Sequence, residues 1–253
     1  MVIEYFSFPG IAGVHCAFCG RSHAGGRLGG NISFNCADDP AQVRQNRAGL
    51  LATLKKQGLT AWHEMRQVHG TAILAEPEAT PPNIDSDQLN AADGAMTSRP
   101  GLGLVIKTAD CQPILLADGS GKHIMALHCG WRGNRANFPG LAVSRFCAQY
   151  GLAPQDVHVV RGPSLGPEQA QFINFSSEWG PRFAKWLRGD KMNLWRLTAD
   201  QLQAAGVPQN QIHGIDICTV SNQKDWFSHR ADHAAGRQAS VIWIAARGQK
   251  EQA

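Results

Sequence analysis

Apolar and polar positions along the chain fall into two rhythms. Short, nearly continuous apolar runs of strand length occupy residues 103–106, 114–117 and 124–128, with 119–122 as the turn between the last two. Runs at 71–74, 157–160, 213–219 and 239–245 also read as strands. Helical spacing appears between them. Asp39 is placed to cap a helix with Pro40 at its first position, Val43, Leu50, Leu51 and Leu54 share one face, and Gly58 ends it. Further helices are expected at 141–150, stopped by Gly151, at 178–187, and at 198–205, capped by Thr198 and closed by Gly206 and Pro208. The proline-rich, acidic span 76–90 reads as an exposed loop. Strands mixed with helices predict a layered α and β architecture, and no linker divides it, so residues 1–253 are expected to form one domain.

One residue breaks the helical pattern. Arg47 lies four positions after Val43 and three before Leu50, so it projects from the apolar face. An inward arginine needs an anion, which is either an internal carboxylate or a phosphate on a substrate.

Charge and cysteine usage narrow the function. The formal charge is +4 and no basic run exceeds Lys55-Lys56, which gives no nucleic-acid or anionic-membrane surface. The N-terminus lacks a basic signal-peptide region, and no apolar run approaches the ~20 residues that span a bilayer, so a cytoplasmic location is expected. Seven cysteines, an odd number, do not suggest a disulfide framework. Cys16 and Cys19 form C-x-x-C with His15 and His23 alongside, but no fourth ligand is near in sequence, and these thiols are expected to be reduced and close to the surface.

The remaining reactive residues stand where apolar runs stop. Asp110 and Cys111 follow the first run, His128 ends the third, and Arg132 lies just beyond. His69 precedes the strand at 71–74. Together His69, Cys111 and His128 are candidate metal ligands, since imidazole and thiolate donors suit zinc or copper and three of them leave a fourth position open. Cys129 is a weaker candidate because a strand neighbour of His128 points to the opposite face.

The motifs Q-V-H-G (67–70), A-D-G-A-M-T (92–97), T-A-D-C-Q-P-I-L-L-A-D (108–118) and H-C-G-W-R-G (128–133) strongly resemble the YfiH-like family. It is also called the multicopper polyphenol oxidoreductase, laccase-domain or peptidoglycan editing factor family. The resemblance extends to Asn31, residues 38–47, G-P-S-L-G-P (162–167) and G-R-Q-A-S (236–240), although Cys129 stands where the family usually has alanine. It implies an α+β fold, a four-layer α/β/β/α sandwich of the cysteine hydrolase type. It implies a metal, zinc with copper as the alternative, held by His69, Cys111 and His128. It also implies action on a small-molecule nucleoside with phosphate: phosphorolysis of adenosine, inosine and methylthioadenosine, with adenosine deamination besides. Asp93 and Asp110 are then candidates for proton transfer, and Asn31, Arg47, Gln67, Arg132 and Arg237 for holding substrate or phosphate. Beside a non-enzymatic protein that binds a nucleoside or cell-wall fragment, two enzymatic alternatives stay open. One is copper-dependent polyphenol oxidation, although the ten histidines include no His-x-His pair. The other is a metal-free hydrolase acting on a peptidoglycan precursor, with Cys111 as nucleophile and His128 or His69 as base.

Overall fold

The computed structural model describes residues 1–78 and 90–246, so most of the expected loop at 76–90 lies outside the described residues. Two sheets dominate. The five-stranded sheet has the order β1 (Ile3–Phe6), β2 (Val14–Cys19), β13 (Gln238–Ile244), β6 (Leu102–Thr108), β3 (Ala61–Glu64). The six-stranded sheet has the order β12 (Ile212–Gly214), β9 (Val157–Arg161), β7 (Gln112–Asp118), β8 (Ile124–Cys129), β5 (Gly94–Thr97), β4 (Ile73–Ala75). A small hairpin pairs β10 (Leu187–Arg188) with β11 (Lys191–Met192). Helices α1 (Pro40–Lys55), α2 (Trp131–Arg135), α3 (Phe138–Tyr150), α4 (Phe175–Glu178) and α5 (Leu194–Ala204) complete this α+β chain.

Side-chain alternation along each strand sorts the core. Leu104 and Ile106 of β6 and Ile242 of β13 pack in one cluster with Leu115 and Ala117 of β7 and Ile124 and Ala126 of β8, so the two sheets face each other there. The alternate residues look outward. Val105, Val241 and Trp243 pack with Leu50 and Leu54 of α1, whereas Ile114, Leu116, Met125 and Leu127 pack with Phe138, Val143 and Phe146 of α3 and Leu202 of α5. The central strands are buried on both faces, which is why they read as continuous apolar runs. Emptying a fully buried position such as Trp62 or Trp243 to alanine costs about 3–5 kcal/mol.

Several expectations are corrected by local chemistry. Asp39 does cap α1, accepting from Ala41 N at 2.9 Å, but α5 starts four residues before Thr198 and its cap is Asn193, which accepts from Arg196 N at 2.9 Å. Thr198 is instead buried in an amide network, donating to Gln112 Oε1 at 3.0 Å while Asn134 donates to it at 2.8 Å. The helix expected at 178–187 is split into α4 and a 3-10 turn over Pro181–Trp186. Gly180 has φ 85°, and Pro181 has no N–H to continue an α-helical ladder. The strand expected at 213–219 is only Ile212–Gly214, because Ile217 N turns back onto Ile215 O at 2.8 Å. Finally, Cys16 and Cys19 are not near the surface. Both lie in β2 and are fully buried.

Candidate metal centre

The site forms at one end of the inter-sheet space, where three chain segments meet. His128, the last residue but one of β8, lies on the face that Ala126 shares with the inter-sheet core, and Cys129, which ends the strand, packs into the outer cluster beneath α3. Cys111 sits in the turn between β6 and β7. That turn needs Asp110 at φ 87°, an uncommon conformation for a residue other than glycine. Its surroundings hold it there: the Asp110 carboxylate accepts from Thr219 Oγ1 at 2.6 Å and Arg230 N at 2.7 Å, and its carbonyl accepts from Leu165 N at 2.9 Å. Asp110 therefore braces the turn that presents Cys111.

His69 arrives on a loop, also with positive φ, 59°. Asp93 organises that loop. Its carboxylate accepts from the backbone N–H of Val68 (3.2 Å), His69 (2.9 Å) and Gly70 (2.7 Å), and its Oδ1 lies 2.7 Å from His128 Nδ1. With Nδ1–H donated to Asp93, His128 keeps Nε2 as the ring nitrogen open to a ligand. The donor atoms of His69, Cys111 and His128 all lie within 4.8 Å of one another, and the two imidazoles meet edge to face with centroids 4.8 Å apart. A Cβ on Gly130 would come within 2.9 Å of Cys111 Sγ and 3.3 Å of His69 Cδ2, so only glycine lets the cluster close this tightly.

Electrostatics agree with the donor set. Burial by itself would raise the Cys111 thiol, but the charge and hydrogen bond of His128, joined by His69, bring it down to about 6. His128 is raised in turn: burial opposes its charge, yet Cys111 and Asp93 favour the imidazolium more strongly. Asp93 is lowered, because the hydrogen bonds from His128 and the loop amides outweigh burial. A thiolate with two imidazoles, one oriented by a carboxylate, is a fitting ligand set for a soft or borderline divalent metal.

The cluster opens on a cavity of about 320 Å³. Gln67 and Arg237 reach it, and Gln67 is fixed by a double hydrogen bond to the Lys107 backbone, 2.7 Å to O and 2.8 Å from N. Asn31 is fully buried and accepts from Arg237 N at 2.8 Å while donating to Asp38, so it positions the segment carrying Arg237. Two expected arginines are not brought to the cavity. Both guanidinium ends of Arg47 meet Glu64, at 2.8 and 3.0 Å, and Lys107 joins Glu64 at 2.9 Å, making a buried ion cluster under α1. Of the two partners open to Arg47 from its spacing, the internal carboxylate is the one present. Arg132 lies exposed over the Trp131 ring, 4.4 Å from its centroid. Residues that were not singled out from the sequence also line the cavity: Ser33, Asn35, Arg66, Lys107, Thr108 and His229. Lys107 and Thr108 directly precede the A-D-C motif, which was the available signal; His229 had none.

Comparison with known proteins adds the family. A model of the "multi-copper polyphenol oxidoreductase laccase" family matches residues 18–245. The chain belongs to this YfiH-like laccase-domain family. Among curated relatives of the family, a purine nucleoside phosphorylase of Xylella fastidiosa (strain Temecula1) is 33% identical over 224 residues, covering 85% of this chain and 84% of the relative. The purine nucleoside phosphorylase YfiH of Escherichia coli (strain K12) is 31% identical over 227 residues, covering 85% and 86%. Among solved structures, YlmD from Geobacillus stearothermophilus superposes with a TM-score of 0.82 at 26% identity, covering 94% of both chains. The laccase-domain fold is therefore shared along nearly the whole chain. Among the described residues no helix is long and apolar enough to cross a membrane.

Proposed function

We propose that the protein is a zinc-dependent purine nucleoside phosphorylase, converting adenosine, inosine and methylthioadenosine with phosphate to the free base and ribose or methylthioribose 1-phosphate, with adenosine deamination as a side activity. The observation that carries this reading is the joining, in one cavity, of a His69–Cys111–His128 donor cluster with the guanidinium side chains of Arg66 and Arg237. The names of relatives at about 30% identity point to the same reaction. Phosphorolysis needs a site for a dianion and stabilisation of charge as the glycosidic bond breaks. Arg66 and Arg237 are suited to the first, since a guanidinium matches phosphate oxygens in pairs. Gln67, immobilised by Lys107, offers a fixed polar group beside them.

His69, Cys111 and His128 would hold the zinc, which when bound supplies Lewis-acid polarisation to the substrate. Asp93 holds His128 in its ligand tautomer and fixes the His69 loop, with its carboxylate oxygens already engaged. Proton transfer to the leaving base then falls to a group on the cavity wall, and His229 stands there.

A second reading has its own support. Without metal, a thiolate at Cys111 beside a cationic His128 is the pairing used by nucleophilic cysteine hydrolases. Metal-quantified protein incubated with each nucleoside, with and without phosphate, separates the two. Phosphate-dependent release of free base that tracks zinc content is the expected result. Absence of nucleoside conversion, with hydrolysis of a cell-wall precursor by chelator-treated protein, would replace it.

A further inference from the structure

Of the three donors, His69 has the least support from regular structure. Cys111 sits in the turn that joins β6 to β7 and His128 lies within β8, but residues 65–72 belong to no strand or helix, and His69 is the exposed member of the cluster. Contacts from outside its own segment must fix where that imidazole stands relative to the Cys111 sulfur. Asp93 does part of this. Its carboxylate gathers the amides of Val68, His69 and Gly70 and holds His128 Nδ1, so it ties the His69 loop to the six-stranded sheet. Cys111, however, follows β6 of the five-stranded sheet.

The tie to that second sheet is a side chain standing in for a strand. β3 and β6 run parallel with Glu64 opposite Val105, a register that would next place Arg66 opposite Lys107. The chain departs before that point. Arg66 bridges to Ala91, with Arg66 N donating to Asn90 O at 2.8 Å and Ala92 N to Arg66 O at 3.3 Å, and the peptide groups of the buried Lys107 then need partners from elsewhere. Gln67 supplies them: Nε2 donates to Lys107 O at 2.7 Å, and Oε1 accepts from Lys107 N at 2.8 Å. A primary amide carries the donor and acceptor of a peptide, so this side chain extends the ladder by one rung while the backbone crosses toward β5. Gln67 is two residues before His69 and Lys107 four before Cys111, so the rung joins the two ligand-bearing segments close to the metal centre.

We propose that Gln67 is a positioning residue of the metal centre: clamped on the Lys107 peptide, it sets the reach of His69 toward the ion that Cys111 and His128 would share. Asp93 references His69 to one sheet and Gln67 references it to the other. The clamp uses one of the two amide hydrogens of Gln67, and the polar role toward substrate given above needs only the other. This role rests on the metal-centre reading and deepens it by naming what holds the ligand that no strand carries.

Zinc affinity from chelator competition, in a cycle of Gln67→Met, His69→Ala and the double variant, tests it without recourse to turnover. Methionine keeps the length of glutamine and forms neither bond to Lys107. Gln67→Met should bind zinc roughly 10–100-fold more weakly than wild type. In the His69→Ala background it should cost almost nothing further, because a residue that acts through His69 has nothing to position once the imidazole is gone. Gln67→Asn keeps the polarity but is one methylene too short to span both Lys107 atoms, and should lose a similar factor. Cobalt(II) gives a second readout: the visible d–d bands of Gln67→Met should move toward those of His69→Ala, while the thiolate charge-transfer band from Cys111 stays. Wild-type zinc affinity in either Gln67 variant, or the same fold-loss with and without His69, would overturn the proposal. Wild-type protein that takes up neither zinc nor cobalt would remove the metal reading and the clamp with it, so the two failures are told apart.

Discussion

Two cysteine- and histidine-bearing stretches look alike as sequence and end in opposite states. Cys111 lies in a turn at a sheet end, where His69 and His128 converge and draw its thiol down to about 6. Cys16 and Cys19 lie inside β2, where burial drives both thiols upward, Cys19 to about 12. Their neighbouring histidines are used elsewhere. His15 stacks on Trp243 with ring centroids 5.2 Å apart, and His23 meets Asp225 at 3.1 Å on the surface. Spacing in the chain is the same kind of information in both stretches; the difference is which side chains other strands deliver to each sulfur. A reactive thiol is made by its neighbours, and a strand interior offers a thiol only apolar ones.

The comparison breaks first at the ligands. Cys111→Ala should abolish stoichiometric zinc and lower phosphorolysis by roughly 100-fold or more, whereas Cys16→Ala should leave both at wild-type levels. Metal analysis beside a product assay reads both arms, and metal loss in the Cys16 variant would erase the contrast. Next in size is Asp93→Asn. It removes the charge that holds His128 and weakens the acceptor for three loop amides, and metal affinity should fall roughly 10–100-fold in a chelator competition. Unchanged affinity would mean the loop is held by other contacts.

The smallest effect is the most direct on the thiols themselves. In metal-stripped protein, alkylation of Cys111 should follow its thiolate: slow well below pH 6, rising through about 6 and levelling off above it. Cys16 and Cys19 should stay unlabelled across that range until the chain unfolds, because their thiols remain protonated and buried. Added zinc should suppress labelling of Cys111. Mass spectrometry of labelled peptides would show it, and early labelling of Cys19 would contradict the account.

Much of the architecture was legible because it rests on local rules. Continuous apolar runs mark β6, β7 and β8, and Asp39, Pro40 and apolar spacing mark α1. Sequence and structure part where tertiary contacts override a short-range signal. Thr198 looked like a cap but serves a buried network reaching Gln112 and Asn134, and the Gly180–Pro181 step cut a helix that apolar spacing had drawn through it. The three donors that cluster, His69, Cys111 and His128, are each legible within a motif. The cavity wall was not: Arg66, Lys107 and Thr108 carry no motif chemistry of their own, and Arg47 was identified as needing an anion without the identity of that anion being readable.

By itself, the sequence determined which segments become strands and helices and which residues have metal-binding chemistry. Hydrophobic period, capping and donor type are properties of a residue and its near neighbours. Tertiary structure alone decided that His69, Cys111 and His128 share one point, that Arg47 closes on Glu64, and that Cys16 and Cys19 are buried inside β2. Each of those outcomes depends on contacts between residues from 17 to more than 200 positions apart, as between Arg47 and Glu64 or Cys19 and Ala239, and only the packing of two sheets brings such positions together.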